Sequence, residues 1–162
     1  MAPDRIVAAK ALACTLAWLA RSQGRWCGLV AFEHGPDGNA IALPPSKPNQ
    51  GELLGWLEHF YCGGTSLHVP LETLPFQYWE KFVEAGMQRG RTDVVIITDG
   101  YMDCPDAMRD RYLAWAKAEQ VKTLGIIIGE NRAGGLEGVC NRFWCLQDLE
   151  LNSDAVEHVL SL

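Results

Sequence analysis

Two carboxylates, Asp99 and Asp103, follow a run of four β-branched residues, at the place where a strand would end. The run Val94 to Ile97 is continuously apolar, which is typical of a strand buried on both faces in a parallel sheet. The carboxyl ends of parallel strands open into the crevice that holds ligands in doubly wound folds. Acids there serve as aspartyl nucleophiles or magnesium ligands. Asp99 is therefore the first candidate for chemistry, and the alternative is that it caps the turn or helix that follows.

A second group of oxygen-bearing side chains follows two glycines. Thr65 and Ser66 come directly after Gly63 and Gly64. Glycines let a backbone approach a ligand closely, and hydroxyls are either oxygen ligands or helix N-caps. Taken alone, this segment predicts a loop with a hydroxyl N-cap.

The common catalytic motifs are absent from the sequence. It contains neither a G-x-x-x-x-G-K-[ST] nor a G-x-G-x-x-G phosphate loop, no G-x-S-x-G elbow and no C-x-x-C pair. Asp99 and Asp103 also lack the Asp-x-Asp spacing of haloacid dehalogenase-like phosphatases. A non-enzymatic role is therefore favoured, with a magnesium-dependent hydrolase or phosphatase that uses Asp99 and Asp103 as the alternative.

The composition of the chain excludes some classes of protein. The 162 residues carry a net charge of -6 with a pI near 5.1, which argues against general nucleic-acid binding because phosphate contacts need a concentrated basic surface. No apolar run reaches the roughly 18 residues that span a bilayer, and the start has no basic region followed by an apolar stretch and a cleavage site, the pattern of a signal peptide. We expect a single cytoplasmic domain over residues 1–162, with its six cysteines reduced.

The hydrophobic pattern predicts alternating helices and strands. The predicted helices cover 3–22, 49–62, 70–85, 105–119 and 154–160, and the predicted strands cover 26–32, 40–43, 94–99, 121–129 and 142–146. This order is typical of an α/β, doubly wound, mostly parallel sheet, in which we expect 94–99 to be central. The first helix is apolar almost all round, so we expect other elements to cover it.

Thr65 and Asp99 taken together resemble the von Willebrand factor A (VWA) fold, particularly its bacterial cytosolic CoxE-like and MoxR-associated branch. The segments "CGGTSLHVPLE" and "VVIITDG" match the second and third loops of that family's metal-ion-dependent adhesion site (MIDAS), and "VKTLGIIIGE" and "NRFWCLQDLE" resemble its last two strands. The resemblance covers nearly the whole chain. It implies a Rossmann-like fold with Thr65 as a metal-ligating hydroxyl and Asp99 as a water-mediated ligand.

The sequence departs from that family at its start. The family's first strand and its Asp-x-Ser-x-Ser motif are missing, so the fold is expected to be N-terminally truncated relative to the family, with the helix 3–22 corresponding to the family's first helix. Thr65 and Asp99 are two of five metal-contacting side chains. Because Mg²⁺ demands near-ideal octahedral oxygen geometry, we expect this chain alone to bind it weakly or not at all.

The resemblance also implies partners. It predicts a non-enzymatic protein-binding domain that serves as an adaptor for a MoxR-type AAA+ ATPase, and the composition predicts no nucleic-acid or membrane partner. In the family, the missing strand lies between those corresponding to 26–32 and 94–99. Either these two strands pair directly, or a strand comes from upstream residues or from a second copy. We expect self-association as a homo-oligomer.

Overall fold

The computed structural model describes residues 3–32, 39–46, 50–58, 67–99, 104–129 and 134–146. Its elements are α1 (Pro3–Ser22), β1 (Cys27–Ala31), β2 (Asn39–Leu43), α2 (Gln50–Glu58), a π-helix (Val69–Tyr78), α3 (Trp79–Glu84), β3 (Val94–Thr98), α4 (Asp106–Glu119), β4 (Thr123–Ile128), a 3-10 turn (Gly134–Leu136) and β5 (Arg142–Leu146). The protein is mixed α/β, as the alternating pattern predicted. The predicted helix 154–160 lies outside the described residues.

The chain divides into two compact units. The first unit combines Met1–Ala11 with Gly90–Leu162, and the second comprises Leu12–Arg89. The first unit contains a parallel sheet of three strands, and the second contains an antiparallel hairpin.

The parallel sheet has the order β3-β4-β5, so β4 is its middle strand. All six residues of β4 are buried, whereas buried and half-buried residues alternate along β3. The prediction that 94–99 is the central strand is therefore wrong for the sheet that the described residues form. Four β-branched residues in a row favour a strand, but they do not reveal whether a neighbour lies on one side or on both.

Buried hydrogen bonds fix the position of β4 at its first residue. The hydroxyls of Tyr112 in α4 and Thr123 in β4 lie 2.8 Å apart in the core. Asn141, just before β5, accepts the Thr123 N–H with its side-chain oxygen and donates its own N–H to the Thr123 carbonyl, both at 2.7 Å. Burial raises the pKa of Tyr112 well above its ordinary value. These contacts link α4, β4 and β5 at the amino-terminal edge of the sheet.

The hairpin of the second unit matches the predicted strands 26–32 and 40–43. β1 pairs antiparallel with β2 from Cys27↔Leu43 to Ala31↔Asn39. Trp56 of α2 is buried, and its indole N–H donates to the Asn39 carbonyl at 3.1 Å. The indole contact therefore holds α2 against the start of β2.

The predicted helix 70–85 is divided into a π-helix followed by α3. The π-helix contains Pro75, which has no N–H and whose ring displaces the carbonyl four residues earlier. The Trp79 N–H reaches back five residues to the Leu74 carbonyl, which is the wider turn of a π-helix. Trp79 and Phe82 of α3 are buried, and the Phe82 ring meets the Trp26 ring edge-on at 5.0 Å.

Helix α1 has the predicted bounds, but the prediction that it is covered all round is wrong. Ala13 and Ala17 are buried, whereas the side chains of Val7 and Trp18 are 68% and 66% exposed. Its small residues face the core, and two of its larger apolar side chains do not. Among the described helices, none has both the length and the apolar character needed to cross a membrane.

Candidate functional site

Asp99 directly follows β3, at the carboxyl-terminal edge of the parallel sheet, as the sequence predicted. Thr98 pairs with Ile127 of β4, so Asp99 stands level with Ile128, near the end of that strand. The residue is half-buried, and its Oδ1 atom is shielded from solvent. Helix α4 begins at Asp106 after Pro105, with no side-chain N-cap hydrogen bond. The turn that Asp99 could cap, residues 100–103, lies outside the described residues, so the capping alternative stays a prediction.

Arg5 brings a positive charge to the same edge, and sequence reasoning did not select it. Its guanidinium lies on the backbone of Gly129, which follows β4: the Cζ and Nε atoms are 2.6 Å and 2.8 Å from where a Cβ on Gly129 would stand. Gly129 has a φ of 116°, which favours glycine, and its N–H donates to the Leu146 carbonyl at 2.9 Å. The only signals in the sequence were a basic residue early in an apolar helix and a glycine at a strand end.

The second predicted metal ligand, Thr65, lies outside the described residues, as do Gly100 and Asp103. In the part of the chain that the structure describes, no three or more His, Cys, Asp and Glu side chains are grouped to hold a metal ion. Asp99 supplies one carboxylate at this edge, and Arg5 supplies a cation beside Gly129. These described groups do not match the six-oxygen shell of Mg²⁺, so no step of the function proposed below passes through a metal.

The charged groups described at this edge lead to a prediction for a magnesium titration. Calorimetry on the 162-residue chain should give no heat of binding at micromolar Mg²⁺, because the described residues offer a single carboxylate at this edge to replace the water shell of the ion. Asp99→Ala, with one carboxylate fewer, should give the same trace. Micromolar affinity that disappears in Asp99→Ala would contradict the prediction and show that other groups complete the site.

Burial raises the pKa of four of the five described thiols. Cys14, Cys27, Cys104, Cys140 and Cys145 are free, so the prediction of reduced cysteines is confirmed for these five. Burial raises the pKa of Cys27 to about 11 and that of Cys140 to about 12. Burial also raises the pKa of Cys104, although the positive charge of Arg109 opposes that effect, and it raises the pKa of Cys145. Since the thiolate is the reactive form, these four side chains do not indicate covalent catalysis.

The chain matches no family model, no curated protein and no solved structure.

Proposed function

We propose that this chain is a non-enzymatic, VWA-like protein-binding domain that binds its partner through the carboxyl-terminal edge of its parallel sheet. The observation that carries the proposal is the position of Asp99, half-buried directly after β3 and with one shielded carboxylate oxygen. Ligand sites of open α/β sheets lie at this edge. The partner favoured by the sequence resemblance is a MoxR-type AAA+ ATPase.

The order of the strands supports the proposed fold. The resemblance matched 94–99, 121–129 and 142–146 to successive strands, and β3, β4 and β5 are parallel neighbours in that order. An antiparallel hairpin precedes them in the chain. Both features are compatible with a doubly wound, Rossmann-like topology.

The charged side chains at this edge are better suited to binding a protein than to catalysing a reaction. Asp99 presents an acceptor and Arg5 presents a planar group of five N–H donors, which recognises carboxylates with defined geometry. We infer that a partner offers a hydrogen-bond donor to Asp99 and an acceptor to Arg5.

The binding proposal is tested with a purified MoxR-type ATPase from the same genome. Asp99→Ala should weaken its binding by roughly tenfold to a hundredfold, because a half-buried carboxylate that accepts a hydrogen bond from a partner makes a charge-assisted hydrogen bond. Asp93→Ala is the matched control, because Asp93 flanks the other end of β3 and its carboxylate accepts the Lys122 N–H at 3.2 Å. Equal affinities of the two variants, measured by biolayer interferometry, would contradict a role for the carboxyl-terminal edge.

The non-enzymatic part of the proposal has its own test. We expect no magnesium-dependent hydrolysis of p-nitrophenyl phosphate by the wild-type chain, and hence no rate that Asp99→Ala could remove. The physical reason is that the sequence has neither of the two glycine-rich phosphate loops and that Asp99 and Asp103 lack the Asp-x-Asp spacing of known phosphatases. A magnesium-dependent rate that is lost in Asp99→Ala and kept in Asp93→Ala would contradict the non-enzymatic proposal. It would favour the alternative, a phosphatase that uses Asp99 and Asp103.

A further inference from the structure

The guanidinium of Arg5 fills the space that a side chain at position 129 would take. Its Cζ, Nε and Nη2 atoms are 2.6, 2.8 and 2.9 Å from the point where a Cβ of Gly129 would stand. Conjugated C–N bonds are about 1.33 Å long, so a point 2.6 Å above Cζ lies about 2.9 Å from the nitrogens. A point beside the edge of the group would be closer to the nitrogens than to Cζ. The flat face of the guanidinium therefore lies against Gly129.

This arrangement keeps the hydrogen-bond donors of Arg5 directed away from Gly129. A guanidinium carries five N–H donors, all in its plane, so none points at a group that lies against its face. Arg5 is half-buried, and within the described residues no carboxylate forms an ion pair with it. Two parallel donors of a guanidinium match the two oxygens of a carboxylate. The edge of the group is thus a donor set that fits an acidic side chain.

Gly129 keeps this space open in a fixed backbone conformation. Its φ of 116° favours glycine, and its N–H donates to the carbonyl of Leu146, the last residue of β5, at 2.9 Å. A Cβ on Gly129 would lie within 3.0 Å of three guanidinium atoms. Because the guanidinium ends a long, flexible side chain, and the backbone of Gly129 is bonded to β5, an alanine here would displace the guanidinium. Gly129 therefore determines where the donors of Arg5 lie.

We propose that the Arg5 guanidinium binds a carboxylate of the partner protein, from an aspartate or glutamate side chain, and that Gly129 is the positioning residue for Arg5. The inference rests on the proposed function and specifies the chemistry of the partner. The carboxylate accepts two parallel hydrogen bonds, one on each oxygen. Such a pair depends on the direction of the N–H groups as well as on charge, which is why the position of the guanidinium matters.

The first test changes Gly129 and measures binding of the purified MoxR-type ATPase. Gly129→Ala should weaken binding by roughly tenfold, the loss expected for a charge-assisted hydrogen bond. Gly86→Ala is the matched control for backbone strain: Gly86 has a φ of 97°, and a Cβ there would meet no atom of the described residues within 4 Å. Both variants should lose stability, and only Gly129→Ala should lose affinity. Equal affinities of the two variants would overturn the positioning role of Gly129.

The second test separates the shape of Arg5 from its charge. Arg5→Lys keeps the positive charge and loses the planar pair of donors, so binding of the ATPase should weaken by roughly tenfold. Arg21→Lys is the matched control, because Arg21 is exposed in the last turn of the same helix. Gly129→Ala should cause no further loss once Arg5 is alanine, since the two residues act through one contact. Wild-type affinity of Arg5→Lys would overturn the bidentate pair.

The third test needs no partner protein. Titration of the ¹⁵N-labelled chain with sodium acetate should shift the Nε–H resonance of Arg5 in a saturable manner, and Gly129→Ala should remove that response. The Nε–H of Arg21 is the internal control, and sodium chloride at equal ionic strength controls for screening. An Arg5 response no larger than that of Arg21 would overturn carboxylate binding. An Arg5 response to acetate in a chain that does not bind the ATPase would support the carboxylate contact and contradict the ATPase as its partner.

Discussion

Replacing Trp79 by alanine should lower the free energy of unfolding by about 3–5 kcal/mol, the range for removing a buried aromatic side chain and leaving a cavity. Trp79 is the first residue of α3, and its side chain is only 2% exposed. A loss of this size is comparable with the whole stability of a small domain. We therefore expect Trp79→Ala to be largely unfolded at 37 °C, as measured by urea denaturation followed by circular dichroism.

Trp18→Ala is the matched control because the same side chain is removed from the same compact unit. Trp18 is 66% exposed on α1, and exposed substitutions usually change stability by less than about 0.5 kcal/mol. Similar urea midpoints for the two variants would contradict the burial that the structure assigns to Trp79. A large loss in Trp18→Ala alone would show that this side of α1 is covered in solution.

Raising the pH from 9 to 11 should destabilise the protein through its buried thiols. Burial raises the pKa of Cys140 from 9.0 to about 12 and that of Cys27 from 9.0 to about 11. The folded state therefore holds these protons more tightly than the unfolded state, so their contribution to stability is complete below pH 9. It is lost as the pH rises towards the folded-state pKa values. At pH 11, Cys140 alone should account for a loss on the order of 2 kcal/mol.

The measurement is the urea midpoint as a function of pH between 7 and 11. Cys140→Ala removes one titrating thiol, so its stability should be lower than wild type at pH 7 but should fall less steeply above pH 9. Cys27→Ala should show the same change of slope over a narrower pH range. A Cys140→Ala curve parallel to the wild-type curve would show that this thiol does not carry the alkaline loss.

Local sequence determined the helices and strands of this protein. The apolar run at 94–97, the buried run at 123–128 and the segment 142–146 each became a strand within a residue or two of the predicted bounds. The placement of Asp99 after the first of these strands followed from the same pattern. Such features depend on side-chain periodicity and on breakers such as glycine, which act over a few neighbouring residues.

The π-helix is an element that the local sequence pattern did not predict. The aromatic residues between 70 and 85 predicted one helix, and that prediction did not take account of Pro75, which lies inside the π-helix. The burial of Val69, Leu71 and Trp79 on both sides of Pro75 is compatible with the wider turn, because these side chains gain core contacts while the backbone loses one N–H donor.

Only the tertiary structure decided which strand is central and which residues meet at the sheet edge. Order within a sheet depends on pairing between distant segments, and a strand such as β3 has the same composition whether it has one neighbour or two. Arg5 and Gly129 are more than a hundred residues apart in the chain, so no local pattern could link them. The different burial of Trp18 and Trp79 has the same cause. Both residues lie in apolar helical sequence, and the packing of other elements buries Trp79 but leaves Trp18 exposed.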